Sequence, residues 1–416
     1  MFSSLFFAAA AAIAPDAEIK TLADAMTPAL VETRRDIHRN PELGNREFRT
    51  GKLVAERLGA LDGIEVRYPV AKTGVVGVLK GGLPGRGVVA MRADLDALPI
   101  QEANDVPYKS LMPGVKHACG HDAHTTILLG AAEVLSKLRA RLPGTVVFVF
   151  QPAEEGPPDG EEGGAALMIK EGVLDAPKVQ AVYGLHTDPF LDAGEAGWRV
   201  GPIFASSDRF TIEVIGKKAH GAYPETGLDP IPVAAEIVAA LQTIPARQLD
   251  ARSPKVLTIG SIQGGNRFNI IADKVVMEGT MRTLDASVRR EMKERIVRTV
   301  ENVARAHGLT ASASFDGDGN SPTMNEAALT RASVPSLERV YGKARVREVE
   351  PQMGAEDFAA LAERVPGLYF KFGIRNEARG IVAKMHTEDY DIDEAALPLG
   401  VRAMSTLAFD YLLRAK

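Results

Sequence analysis

Apolar residues recur along this chain in two rhythms. Residues 19–40 and 50–58 carry the three-to-four spacing of amphipathic helices. Short apolar runs bounded by glycine stand at 74–79, 88–92, 146–150 and 179–185, with a helix pattern at 124–141 between the second and third. Strands alternating with helices predict a mostly parallel sheet covered on both faces. The texture changes near Gly201. Residues 210–215 (FTIEVI) alternate apolar and polar side chains, as a half-exposed antiparallel strand does. A helix at 230–244, strands at 256–263 and 274–282, a long helix at 286–307 and a strand at 310–315 complete a β-α-β-β-α-β order. That order is the ferredoxin-like split unit. Helices at 326–341 and 355–363, a strand at 368–373 and a helix at 394–414 then restore the first texture.

The predicted fold class is therefore α/β: a mixed, mostly parallel sheet with helices on both faces, interrupted by a ferredoxin-like α+β insert. The expected boundaries are 15–202 and 317–416 for the large domain and 203–316 for the insert. Residues 5–14 (LFFAAAAAIA) stand outside this pattern. They are too few to span a bilayer, which takes about 20 residues. The expectation is a signal peptide over residues 1–14 and a periplasmic or secreted protein. Pro15 and the absence of a preceding Lys or Arg speak for the alternative, an Ala-rich helical extension.

Composition narrows the function classes. At 45% hydrophobic and 25% charged residues the chain is ordinary globular protein, neither disordered nor a multi-span membrane protein. A net charge of −5 leaves no basic footprint for nucleic acid. The single cysteine, Cys119, allows no intrachain disulfide. It is a buried bystander, a nucleophile or a metal ligand.

The chemistry-bearing residues follow the strands, where ligands bind in open α/β sheets. Asp94 and Asp96 follow the run at 88–92, Glu154 and Glu155 follow 146–150, and His186 follows 179–185. His386 lies in the loop after the strand near Phe370. The segment HACGHDAH (117–124) packs three His, one Cys and one Asp into eight residues at the start of a helix. Cys119 and His121 would diverge by about 200° on a regular helix, so they can share an ion only in a loop or at a helix start. Taken singly, each feature has a plainer reading: His186 as a satisfied polar residue, Glu154-Glu155 as solvated surface. A closed structural zinc site wants further cysteines, and there are none. A Cys-His hydrolase with Cys119 as nucleophile stays open at this point.

Nine segments carry a resemblance: RRDIHRNPELGNREFRT (34–50), MRADLDALPIQE (91–102), HACGHDAHT (117–125), FQPAEEG (150–156), GLH (184–186), GKKAHGAYPETGLDPI (216–231), FNIIADKVVMEGTMRTLD (268–285), MGAEDF (353–358) and MHTEDYDIDE (385–394). They resemble the co-catalytic metallo-amidohydrolases that include hippurate hydrolase, aminoacylase-type carboxypeptidases and plant indole-acetyl-amino-acid hydrolases. The resemblance implies two divalent metal ions (zinc, manganese, cobalt or nickel) held by Cys119, His121, Glu155, His186 and His386, with Cys119 bridging. It implies Asp96 behind a ligand histidine, Glu154 as the general base, and His220 as an oxyanion donor reaching across a dimer. Asn269 and Arg282 would hold the substrate's carbonyl or carboxylate, although a salt bridge is an equal reading for Arg282. His38, His117 and His124 read as structural and His307 as surface. The implied substrate is an N-acyl amino acid or short peptide. The insert would be a lid and dimerisation domain. A dipeptidase or carboxypeptidase of the same fold is the alternative, and a binding protein that lost catalysis is disfavoured by the intact Glu154 and ligand set.

Overall fold

The structure is a computed structural model that describes residues 14–317 and 319–415. The candidate signal segment therefore lies, apart from Ala14, outside the described residues. The chain divides into two compact units. The first runs to Val200 and resumes at Asn325–Val349 and from Leu361 onward; the second is Gly201–Met324 with Glu350–Ala360.

The first unit is built on an eight-stranded sheet. In spatial order the strands are Ile64–Val70, Gly74–Lys80, Pro143–Gln151, Leu83–Asp94, Ala181–Asp192, Gly367–Arg375, Ala196–Trp198 and Val346–Glu348. The centre is parallel: Leu83–Asp94 pairs with Pro143–Gln151 and Ala181–Asp192, and Ala181–Asp192 pairs with Gly367–Arg375. The first two strands add antiparallel pairings at one side. The central strands are buried on both faces, which is why they read as unbroken apolar runs. In Pro143–Gln151, Val146, Phe148 and Phe150 join the core formed with the helices, and Val147 and Val149 are equally buried on the other face. His121–Lys137 and Leu397–Arg414 supply much of that core through Ile127, Leu135, Val401 and Leu407.

Several elements differ from expectation. The helix predicted over 19–40 is two, Asp16–Ala25 and Thr27–Arg39. Pro28 has no N–H to continue the first helix but fits the opening turn of the second. The edge strand Ile64–Val70 carries Pro69, tolerated where one side needs no ladder bond. The strand expected to end at 185 runs on to Asp192, so His186 sits inside it. The helix expected at 355–363 is only Phe358–Ala362.

The second unit holds a four-stranded antiparallel sheet in the order Lys255–Gly264, Lys274–Thr283, Asp208–Ile215, Thr310–Phe315. In chain order that is second, third, first, fourth, the ferredoxin-like arrangement. Phe210, Ile212 and Val214 point inward and meet Val233 and Ile237 of Pro230–Thr243 and Met292 and Ile296 of Ala286–Ala306. The unit is larger than the expected 203–316 and includes Glu350–Ala360. Ala205 explains the recapture: its N–H is shared between the carbonyls of Gln352 and Gly354, at 3.1 and 2.8 Å. Among the described residues no helix is long and apolar enough to cross a membrane.

Phe148 is fully buried at the centre of the large sheet. Replacing it with Ala should cost about 3–5 kcal/mol of stability, read as a lowered urea midpoint at unchanged slope. A midpoint equal to that of the unsubstituted protein would contradict its place in the core.

Candidate metal centre

The site begins at a backbone turn. Cys119 precedes the helix His121–Lys137, and Gly120 between them has φ +93°. A Cβ at Gly120 would lie 2.7 Å from the Thr187 side chain and from the Tyr390 hydroxyl. Only glycine fits that conformation and that gap. The turn removes the divergence a helix would impose, so Cys119 and His121 face one point. Thr187 Oγ1 donates to the Cys119 carbonyl at 2.8 Å, and the Tyr390 hydroxyl donates to Thr187 Oγ1 at 3.0 Å.

His121 and His186 offer Nε2 inward because Nδ1 is engaged elsewhere. His121 Nδ1 lies 2.8 Å from the Asp96 carbonyl and 3.2 Å from Asp96 Oδ1. His186 Nδ1 donates to the Thr187 carbonyl at 2.7 Å. The Nε2 atoms of His186 and His386 each stand 3.4 Å from Cys119 Sγ, and His386 Nε2 stands 3.2 Å from Glu155 Oε1. His386 takes φ +62°, and its N–H donates to the Ala118 carbonyl at 2.8 Å. Two donor groups result, Cys119–His121–His186 and Cys119–Glu155–His386, sharing the thiol. The buried atoms His121 Nε2 and Glu155 Oε1 have no hydrogen-bond partner. Soft thiolate, imidazole and carboxylate donors with such orphaned atoms fit a pair of divalent cations. Without a cation Cys119 and His386 keep their protons. Burial and then Glu155 push the Cys119 thiol up, and the neighbouring Cys119 and then Glu155 push His386 up to about 10.

Glu154 neighbours this set: its side chain is 7% exposed and Oε2 lies 3.7 Å from His121 Nε2. Asp96 serves twice, since its Oδ2 also accepts the Glu155 N–H at 2.9 Å. Asp94, His121 and His124 cluster as well. There, however, His124 Nε2 accepts the Thr187 N–H at 3.0 Å and Nδ1 donates to Asp94 at 2.7 Å, so neither nitrogen is left for an ion. His38 bridges Asp122 and Glu102 at 2.8 and 3.1 Å. His117 is buried with both nitrogens unpartnered, and burial holds it down at about 3. His307, on the second unit's surface, meets Glu236 at 2.6 Å.

The remaining expected residues belong to the second unit. His220 is exposed in the two-residue strand Ala219–His220 and pairs with Ile270 of Ile270–Ile271. Gly221 N–H donates to the Asn269 carbonyl at 2.8 Å, so His220 and Asn269 are neighbours, and Asn269 Oδ1 is buried without a partner. Arg282 is half-buried on Lys274–Thr283, where Nη1 donates to the Met353 carbonyl at 3.3 Å.

Sequence reasoning missed two buried charges that support the site. Arg34 donates to Asp122 at 2.7 Å and to Asp391 at 2.8 Å. Its signal was a cation at helical spacing between the apolar residues Leu30 and Ile37. Glu47 binds the backbone before Glu154 and carried no signal, since a carboxylate at a helix start is ordinarily a cap.

Comparison with known proteins adds a family. The description "Peptidase family M20/M25/M40" matches residues 90–410. The chain is 41% identical to thermostable carboxypeptidase 2 of Saccharolobus solfataricus, over 92% of this chain and 95% of that protein. It is 39% identical to IAA-amino acid hydrolase ILR1-like 2 of Arabidopsis thaliana, over 92% of this chain and 85% of that protein. The crystal structure of the Bacillus subtilis YXEP protein, described as a dinuclear metal binding peptidase, matches with a TM-score of 0.79 and 34% identity, over 93% of this chain and 98% of that one.

Because Cys119 belongs to both donor groups, Cys119→Ser should weaken binding of both ions, whereas His186→Ala should weaken one. Elemental analysis after dialysis against a weak chelator reads the difference; equal stoichiometry in the two variants would contradict a shared thiol. A cation must displace the protons on Cys119 and His386, both raised. Affinity should therefore fall as pH falls from 8 to 6, by about tenfold per pH unit for each proton released. Competition titrations with a chromophoric chelator measure this, and a pH-independent affinity would rule it out.

Proposed function

Given that the chain belongs to peptidase family M20/M25/M40 and is a metal-dependent hydrolase of amide or peptide bonds, we propose that it cleaves N-acyl amino acids bearing a free carboxylate. The observation that carries the mechanism is the thiol shared by two donor groups, with Glu154 beside them. Cys119, His121 and His186 would hold one ion, and Cys119, Glu155 and His386 the other. When bound, two such ions acidify a water and polarise the scissile carbonyl. Zinc suits thiolate and imidazole best, with manganese, cobalt and nickel as further candidates.

In this reading Glu154 takes a proton from the attacking water and returns it to the leaving amine nitrogen. Asp96 fixes the His121 ring and the Glu155 peptide, so ligand and base loop share one anchor. His220 stabilises the oxyanion, reaching the site across a homodimer formed through the second unit, which acts as a lid. Asn269 and Arg282 bind the substrate's carbonyl and carboxylate, the guanidinium being suited to a two-point contact. Export to the periplasm or beyond, through residues 1–14, completes the proposal.

A second reading within the family is a carboxypeptidase or dipeptidase, favoured by the likeness to a carboxypeptidase. A Cys119 nucleophile is disfavoured. An activated thiol has a lowered pKa, and burial pushes this one up.

A screen of acetyl-, benzoyl- and indole-acetyl-amino acids against dipeptides, repeated with each metal, separates the substrate classes; hydrolysis confined to dipeptides would overturn the N-acyl reading. Chelation should abolish turnover, while a Cys-His hydrolase would survive it. Glu154→Gln should keep its metal and lose roughly 10²–10⁴-fold in kcat. Full turnover in that variant would overturn the base assignment.

A further inference from the structure

Glu47 stands at the N-cap position of the helix Phe48–Gly59, yet its side chain caps nothing there. The carboxylate is fully buried and turned toward two other segments. Oε1 accepts the Ala153 N–H at 2.8 Å, and Oε2 accepts the Thr73 hydroxyl at 2.6 Å. Burial and the nearby Asp96 carboxylate push Glu47 up to about 7. A second buried carboxyl at this spot is costly, and a well-packed apolar residue would serve the fold alone at less expense.

What Glu47 holds is the Pro152–Ala153 peptide, at the residue immediately before Glu154. Ala153 has φ +52°, a left-handed conformation that a residue with a Cβ seldom adopts. On the other side of Glu154, the Glu155 N–H is held by Asp96 at 2.9 Å. The N–H groups of the two residues that flank Glu154 are thus tied to buried carboxylates from separate segments. The wall behind them is close. A Cβ at Gly44 would lie 2.6 Å from the Gly156 carbonyl oxygen and 3.2 Å from Ala153 Cβ. The strained Ala153 peptide persists because its surroundings over-determine it.

We propose that Glu47 is a positioning residue for catalysis: by fixing the left-handed Ala153 peptide it sets the direction of the Glu154 carboxylate. This rests on the reading of Glu154 as general base, and the test separates the two. Glu47→Ala should lower kcat by about 10²-fold, the usual cost of a slight misplacement, with KM and metal content unchanged. Glu47→Gln should restore turnover close to the unsubstituted enzyme. Its carbonyl oxygen still accepts the Ala153 N–H, and its amide donates to the Thr73 hydroxyl, which can accept. In a Glu154→Gln background, Glu47→Ala should cost nothing further, because the group it positions is gone. The same fold-loss in both backgrounds, loss of metal, or a Gln variant as slow as the Ala variant would each overturn the assignment of Glu47 alone. Full turnover in Glu154→Gln would instead overturn the base and, with it, the route by which Glu47 acts. Should Glu47→Ala not fold, Thr73→Val reads the same contact more gently. It should lower kcat by about tenfold, as loss of one bond to a carboxylate does, and only when Glu154 is present; a loss that persists in the Glu154→Gln background would again overturn the proposal.

Discussion

A thiol, three imidazoles and two carboxylates converge in the first unit, and of these the His386 ring alone is well exposed. Cys119, His121 and His186 are buried, and the Glu154 and Glu155 side chains are 7% and 17% exposed. Such groups left to themselves would turn to satisfy one another or the backbone, because an unpaired buried polar atom costs free energy. Two of the rings stay aimed at a common centre because the opposite nitrogen of each is already engaged. His121 is held by Asp96 and His186 by the carbonyl of Thr187. The orphaned Nε2 of His121 and Oε1 of Glu155 are the atoms this arrangement leaves for cations.

A ring of buried charge surrounds the site and fixes its parts. Against its burial, Arg34 and then His38 hold Asp122 well below the usual carboxylate range. Arg34 also reaches Asp391 and Glu394, so one guanidinium joins the helix Thr27–Arg39, the first turn of the ligand helix and the segment after His386. Lys116 donates to the Glu388 carbonyl at 2.8 Å and closes the same loop from the other side. Burying these ions costs several kcal/mol each before pairing. The pairs offset that cost only in one geometry, so what they contribute is placement. Removing one partner would strand the other.

The second unit is assembled by different rules. Its strands alternate, burying one face against two helices and leaving the other polar. Its boundary is set by hydrogen bonds from Ala205 to a segment nearly 150 residues away in sequence. His220 and Asn269 are brought together there by a two-residue strand pairing. The candidate metal donors, by contrast, sit on loops, at the start of the helix His121–Lys137 and within the central strand Ala181–Asp192 of the large sheet.

The sequence by itself determined the class of each domain, the family, and the residues that the structure gathers into two candidate donor groups. Hydrophobic period reflects which face of an element meets a core, and that is a local property of helices and strands. The crowding of His, Cys and Asp into residues 117–124 is equally local. Features that depend on distant partners were not legible. Pro69 hid an edge strand whose position at the sheet margin is what tolerates it. Glu350–Ala360 reads as a short helix with its loop and gives no sign of packing with the insert. Glu47 carries no signal of its own in the sequence and holds a peptide 106 residues away. Which nitrogen His121 turns inward also follows from Asp96, on a separate segment. Spacing encodes periodicity, but the partner of a buried polar atom exists only once the chain has closed around it.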